Sequence, residues 1–194
     1  MNRMCRAHPA QRRADRGLTL FEMLVVMGIV GILTAIGVPS FRYITASNRI
    51  ASEVNGLLGD LQFARAEAIK EGQTVTVCVS TDNTNCSTTS TAWNSGWIVF
   101  SDVNNDATIN TNIVLHKQTA FSGTDTFNAN NGIGSISFNR EGFASGPAGF
   151  AAGTLITLHA SPVSNGTTRC LAVTMIGLAT TLTYNQTSNG FTCI

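Results

Sequence analysis

Between Leu18 and Val38 the sequence reads LTLFEMLVVMGIVGILTAIGV, twenty-one residues with a single charge, Glu22. As a helix at about 1.5 Å per residue this run is roughly 32 Å long, enough to cross a hydrocarbon layer of about 30 Å. Upstream lie Arg3, Arg6, Arg12, Arg13 and Arg16 against one acid, Asp15, a net of +4, whereas the 177 residues after Gly17 carry −3. The positive-inside rule therefore predicts a cytoplasmic N-terminus and translocation of everything beyond the run. A secretory signal would have a shorter apolar region followed by a small-x-small cleavage site. Here the break comes first: Gly17 stands directly before the run, and Glu22 is the fifth residue after it. A carboxylate inside a membrane span is costly and calls for a partner.

Pro39 closes the run. Its ring removes an N–H and disfavours helix in the preceding residue, so a bend or local melt is expected near Val38. Helical periodicity returns from Phe41 to Lys70, with Ile50, Val54, Leu57, Leu58, Leu61, Ala64, Ala68 and Ile69 on one stripe. Arg42, Arg49, Glu53, Asp60, Arg65, Glu67 and Lys70 mostly face away from it, and the stripe requires something to lie on.

The remainder supplies a sheet. β-branched and aromatic residues are interrupted by Gly, Asn, Asp and Pro, which predicts strands near Thr74 to Ser80, Trp97 to Asp102, Asn112 to Gln118, Gly134 to Phe138, Thr154 to His159, Arg169 to Met175 and Thr180 to Tyr184. Alternation sends Val75, Val77 and Val79 to one face and Thr74, Thr76 and Cys78 to the other. The expected class is α+β, a long N-terminal helix packed on antiparallel sheet. Only 12% of the residues are charged, about half the usual ~25%, which excludes coiled coil and charge-rich disorder.

The segment Arg16-Gly17-Leu18-Thr19-Leu20-Phe21-Glu22 resembles the class III signal of type IV prepilins and of type II secretion pseudopilins. That resemblance implies cleavage after Gly17 by a prepilin peptidase on the cytoplasmic face and N-methylation of Leu18. It also implies that Glu22 meets the N-terminal amine of a neighbouring subunit during assembly. Leucine replaces the commoner phenylalanine or methionine at the first mature position. Three further blocks resemble the GspH/FimT group of minor pilins and pseudopilins: LLGDLQFARAEAIKEGQTVTVC (Leu57 to Cys78), GWIVFSDVNND (Gly96 to Asp106) and SISFNREGFASG (Ser135 to Gly146). The implied fold is pilin-like. The implied organisation is a leader over 1–17, a membrane and assembly helix over 18–42, and a periplasmic domain over 43–194 that opens with the amphipathic helix 43–70. The implied protein is a single-pass inner-membrane subunit that later enters a pilus or pseudopilus filament. Its partners would be other pilins or pseudopilins, the prepilin peptidase and the membrane. No enzyme activity and no cofactor follow from the resemblance.

Cys5 lies in the leader, leaving Cys78, Cys86, Cys170 and Cys193 for an oxidising periplasm, and four thiols allow three pairings. The favoured pairs are Cys78 with Cys86, closing the Ser/Thr/Asn-rich loop, and Cys170 with Cys193, tying down the C-terminal strands. The spacings are not the C-x₂-C pairs of zinc modules, so no metal is expected. Asp102, Asn104 and Asp106 begin an EF-hand-like pattern, but Ala107 replaces the turn glycine and Ile113 the bidentate glutamate, which favours a polar hairpin. His116 and His159 read as surface residues. Trp93 and Trp97 read as core or hairpin packing, with Trp93 the candidate for a subunit contact if exposed.

The rival function is DNA binding for uptake, which some members of the resembled group perform through a basic G-R-x-R sequence near the C-terminus. Here the nearest counterpart is Gly177-Leu178-Ala179-Thr180, without arginine. Beyond Thr111 the cations are Lys117, Arg140 and Arg169, of which Arg140 and Arg169 are the candidate phosphate contacts. Affinity for nucleic acid grows with the phosphates neutralised, so so few scattered cations make a poor site.

Overall fold

The computed structural model describes residues 17–104, 106, 109, 113–148 and 150–194. The leader arginines, Cys5, Ala107 and Asn112 lie outside the described residues. The chain divides between Phe41 and Arg42 into two compact units.

One helix, α1 (Leu20–Glu71), contributes to both. Its start is capped by Thr19, whose hydroxyl accepts the Glu22 N–H at 3.2 Å. Thr19-x-x-Glu22 is the sequence form of a capping box, in which a hydroxyl satisfies one of the four donors that a helix start leaves orphaned. The helix runs through Pro39, so the melt expected near Val38 does not occur. Proline deletes one hydrogen bond of the ladder, and its restriction on residue 38 is a preference that helix-forming sequence on both sides outweighs. Throughout the first unit the described side chains are exposed.

In the second unit the helix buries Ile50, Val54, Leu57, Leu61, Ala64 and Ala68, the spacing of one helical face. Leu58 is partly covered, and Ile69, placed on the same stripe by periodicity, is instead exposed. Ile69 borders the buried face beyond the reach of the sheet core, with its tip beside Gly142.

Two antiparallel sheets receive this stripe. The first joins β1 (Val75–Val79), β2 (Gly96–Ser101), β3 (Val114–Thr119), β5 (Ser135–Phe138) and β6 (Ala144–Ser145) in the order β3-β2-β1-β5-β6. The second joins β4 (Thr126–Ala129), β7 (Thr154–His159), β8 (Arg169–Val173) and β9 (Ala179–Thr183) in the order β4-β7-β8-β9. A small hairpin, β10 (Thr187–Ser188) with β11 (Phe191–Thr192), ends the chain. Val75, Val77 and Val79 from β1 and Ile156, Leu158, Leu171 and Val173 from β7 and β8 join the helix stripe in one core.

Each sheet also carries a small cluster on its other face. Cys78, Ile98 and Phe100 lie there on the first sheet, packed against Cys86, Ile109 and Val114. Leu155, Cys170, Ala172, Leu182 and Cys193 lie on the second, under Phe191. Disulfides join Cys78 to Cys86 and Cys170 to Cys193, with sequence separations of 8 and 23. Trp93 and Trp97 are both buried, which removes Trp93 as an exposed contact. Trp97 meets Phe121 edge-on at 5.6 Å, and Phe121 stacks on Phe127 at 6.0 Å.

Candidate functional site

The segment Gly17 to Val38 presents one carboxylate in an otherwise uncharged, mostly apolar surface. Leu20, Phe21, Leu24, Ile32, Leu33 and Ile36 are all exposed, and the helix is long and apolar enough to cross a membrane. A helix that is apolar on every side is stable in lipid or among other apolar helices, not in water. Thr19 belongs to this site although residue patterning alone did not single it out. The available signal was Thr-x-x-Glu preceding an apolar run. The capped turn fixes the backbone on which Glu22 stands, in the first turn of the helix, where the partial positive charge favours a carboxylate.

In the second unit, polar side chains beside the buried stripe reach across to the sheets, although their positions suggested solvent. Arg49 makes a two-pronged pair with Asp125, Nε to Oδ2 at 2.6 Å and Nη2 to Oδ1 at 2.8 Å. Asp125 is buried and also accepts the Ser161 N–H at 2.8 Å. Asp60 accepts the Trp97 indole N–H at 2.7 Å and faces His116 Nδ1 at 3.0 Å. Arg65 donates to the Gly177 and Ile176 carbonyls at 3.0 and 3.2 Å. The turn it grips requires glycine at 177: φ is +75°, and a Cβ there would lie 2.1 Å from the Gly142 carbonyl oxygen. Three ties thus bind one helix to the β4 entry, to β2 and β3, and to the β8–β9 turn.

Glu53 sits beside the first tie. Its carboxyl is pushed up to about 7, first by burial, then by the Asp125 carboxylate, with Arg49 opposing. One of its oxygens is buried without a hydrogen-bond partner.

The candidate DNA contacts are not brought together. Arg140 is paired with Glu141 at 2.7 Å in the β5–β6 turn. Gly142 of that turn lies against Gly177, beyond the end of β8. Arg169 opens β8 at its other end, where its Nη1 donates to the backbone carbonyls of Thr168 at 2.9 Å and Gly166 at 3.3 Å. Asp102 is buried and accepts from Thr76 at 2.9 Å. Among the described residues no group of three His, Cys, Asp or Glu side chains is placed to hold a metal. His159 Nδ1 lies 3.1 Å from the Thr168 hydroxyl, away from any nucleophile pattern.

Comparison with known proteins decides the lineage of this arrangement. Residues 53–177 match the family described as type II transport protein GspH, and residues 12–38 match the prokaryotic N-terminal methylation motif. The chain belongs to the GspH family. Two curated fimbrial proteins of Pseudomonas aeruginosa are each 35% identical over 63 residues, 32% of this chain and 40% of theirs. The chain thus spans less than half the length of these relatives. The fold is that of the type IV minor pilin FimU of Pseudomonas aeruginosa, in two crystal forms: TM-scores are 0.52 and 0.54, with 18% and 19% identity over 68% and 71% of this chain and 91% and 90% of the other. Family and fold are those of structural pilins. The apolar helix with its methylation motif is that of a membrane-anchored member.

Proposed function

We propose that this GspH-family chain is a minor pilin or pseudopilin that primes or caps assembly of a type IV pilus or a type II secretion pseudopilus. One observation carries the reading. An exposed apolar stretch, Leu18 to Val38, with Glu22 as its one carboxylate, directly follows Gly17, and its helix continues into a domain of the GspH family. Under this proposal the prepilin peptidase removes residues 1–17 at the cytoplasmic face and Leu18 is methylated. Residues 18–42 hold the subunit in the inner membrane, and residues 43–194 fold in the periplasm. Assembly then moves the apolar helix from lipid to the company of neighbouring subunits, a transfer between two apolar surroundings. Glu22 gains most from that move, because a terminal amine of a neighbour offers the partner that lipid lacks. The DNA-uptake alternative has weaker support, since Arg140 is paired with Glu141 and Arg169 lies at the other end of β8.

Mass spectrometry of the protein extracted from membranes tests the first step, and a methylated N-terminal Leu18 is expected. A start at Met1, or cleavage after Pro39, would end the reading. Glu22→Ala is expected to leave the unfolding midpoint of the second unit unchanged while removing the subunit from sheared filaments.

A further inference from the structure

We propose that the exposed loop from Ser161 to Gly166, together with Arg169, Arg42 and Tyr43, is a lipid-facing surface that rests on the phosphate layer of a phospholipid membrane. This rests on the membrane-anchored reading above and adds a second point of membrane contact, made by the folded domain itself.

From Leu20 to Tyr43 a helix rises roughly 35 Å at about 1.5 Å per residue, slightly more than the ~30 Å hydrocarbon layer and less than the ~40 Å that includes headgroups. Tyr43 therefore reaches headgroup depth, where tyrosine is favoured because its ring is apolar and its hydroxyl wet. Whatever the angle between the two units, connectivity keeps Tyr43 two residues from Phe41.

The Tyr43 hydroxyl sits against Gly166, so close that a Cβ at 166 would be 2.5 Å from it. The 3-10 turn Asn165–Thr167 thus lies at the depth of that hydroxyl.

Ser161 to Gly166 are all exposed, and Val163 is 69% exposed. Arg169 is held at the turn by the Gly166 and Thr168 carbonyls, and Arg42 is exposed one residue from Tyr43. No acid occurs between Ser161 and Arg169, and the carboxylate that meets this turn, Asp125, is buried and matched by Arg49. An aromatic ring, an exposed valine and the two cations Arg42 and Arg169 fit an anionic headgroup layer.

The test uses the full chain in vesicles of phosphatidylethanolamine and phosphatidylglycerol, with photoreactive benzoylphenylalanine replacing Val163, Ile32 or Phe143 in turn. Phe143 is an equally apolar control, 52% exposed. It adjoins Gly142, which touches Ile69, roughly 39 Å along the helix from Tyr43 at about 1.5 Å per residue. Val163 is expected to form lipid adducts several-fold above Phe143, and Arg42→Gln with Arg169→Gln is expected to lower that yield without lowering the yield at Ile32. Labelling at Ile32 with Val163 no better than Phe143, or Val163 joined to a second protein copy, overturns this inference alone. Absence of lipid adducts at Ile32 as well overturns the membrane-anchored reading with it.

Discussion

The two stretches of α1 share one hydrogen-bond ladder and opposite surroundings. Before Phe41 every described side chain is exposed, whereas from Ile50 to Ala68 each third or fourth residue is buried against the sheets. Backbone geometry is the same in both, so the side-chain pattern alone decides which stretch is completed by its own chain. The first stretch has no polar face and is finished only by lipid or by other helices. The second has an apolar stripe flanked by Arg49, Asp60 and Arg65, which tie it to three separate places on the sheets. Substitutions of one residue type should therefore divide cleanly at the boundary.

Leucine gives the sharpest form of that contrast. Leu57 is fully buried and Leu33 is 65% exposed. Leu57→Ala should destabilise the folded domain by about 2–5 kcal/mol through lost burial and the cavity left behind. Leu33→Ala should change it by less than about 0.5 kcal/mol, as surface substitutions do. Thermal unfolding of the full chain in detergent, followed by near-ultraviolet circular dichroism, reads both. Comparable losses from the two variants would break the comparison.

What the sequence made legible divides along the same physical line. Positions whose neighbours are set by local periodicity were readable: the stripe through Ile50, Val54, Leu57, Leu61, Ala64 and Ala68, and the strand Thr154–His159. β4 was not, because Thr-Phe-Asn-Ala is a short run between Asp and Asn residues and becomes a strand only by pairing with β7. β6, β10 and β11 have two residues each and carry no period at all. The ties made by Arg49, Asp60 and Arg65 were hidden for another reason. A charged residue at the margin of an amphipathic helix reads as solvated until the opposite surface supplies Asp125, Trp97 or the Gly177 carbonyl. For the candidate site, the glycine and carboxylate were plain in sequence, while the hydroxyl cap at Thr19 needed the helix start to be located.

The two disulfides extend the comparison to the outer faces of the second unit. In the chain-entropy account, closing the loops of 8 and 23 residues' separation contributes about 2.6 and 3.4 kcal/mol. Cys193 is also fully buried, in the cluster with Leu155, Ala172 and Leu182. Replacing Cys170 and Cys193 by serine should therefore cost roughly 1 kcal/mol more than replacing Cys78 and Cys86. Urea midpoints of the two double variants, measured at constant slope, give the difference. A larger loss from the Cys78 and Cys86 pair would show that the loop after β1 carries more of the fold than its length implies.

The smallest expected effect tests whether the tie nearest the unit boundary is sensitive to acid. Glu53 faces Asp125 and Arg49, and its carboxyl is pushed up to about 7 from an ordinary 4.5. Between those values the folded chain keeps a proton that the unfolded chain has released. Stability attributable to Glu53 is therefore full below about 4.5 and is lost as pH rises through about 7. The side chain is only partly buried, so solvent screening reduces the loss to under about 1 kcal/mol. Glu53→Gln removes the titration while keeping the shape, so the variant should be the more stable protein above pH 7 and show a flatter profile below it. His116 and His159 are unchanged in both chains, so subtracting the two stability profiles between pH 4.5 and 8 isolates Glu53. Parallel profiles would mean that the carboxyl gains a partner or water on ionising. In that case the Arg49–Asp125 tie would hold the helix equally well whether or not its neighbour is charged.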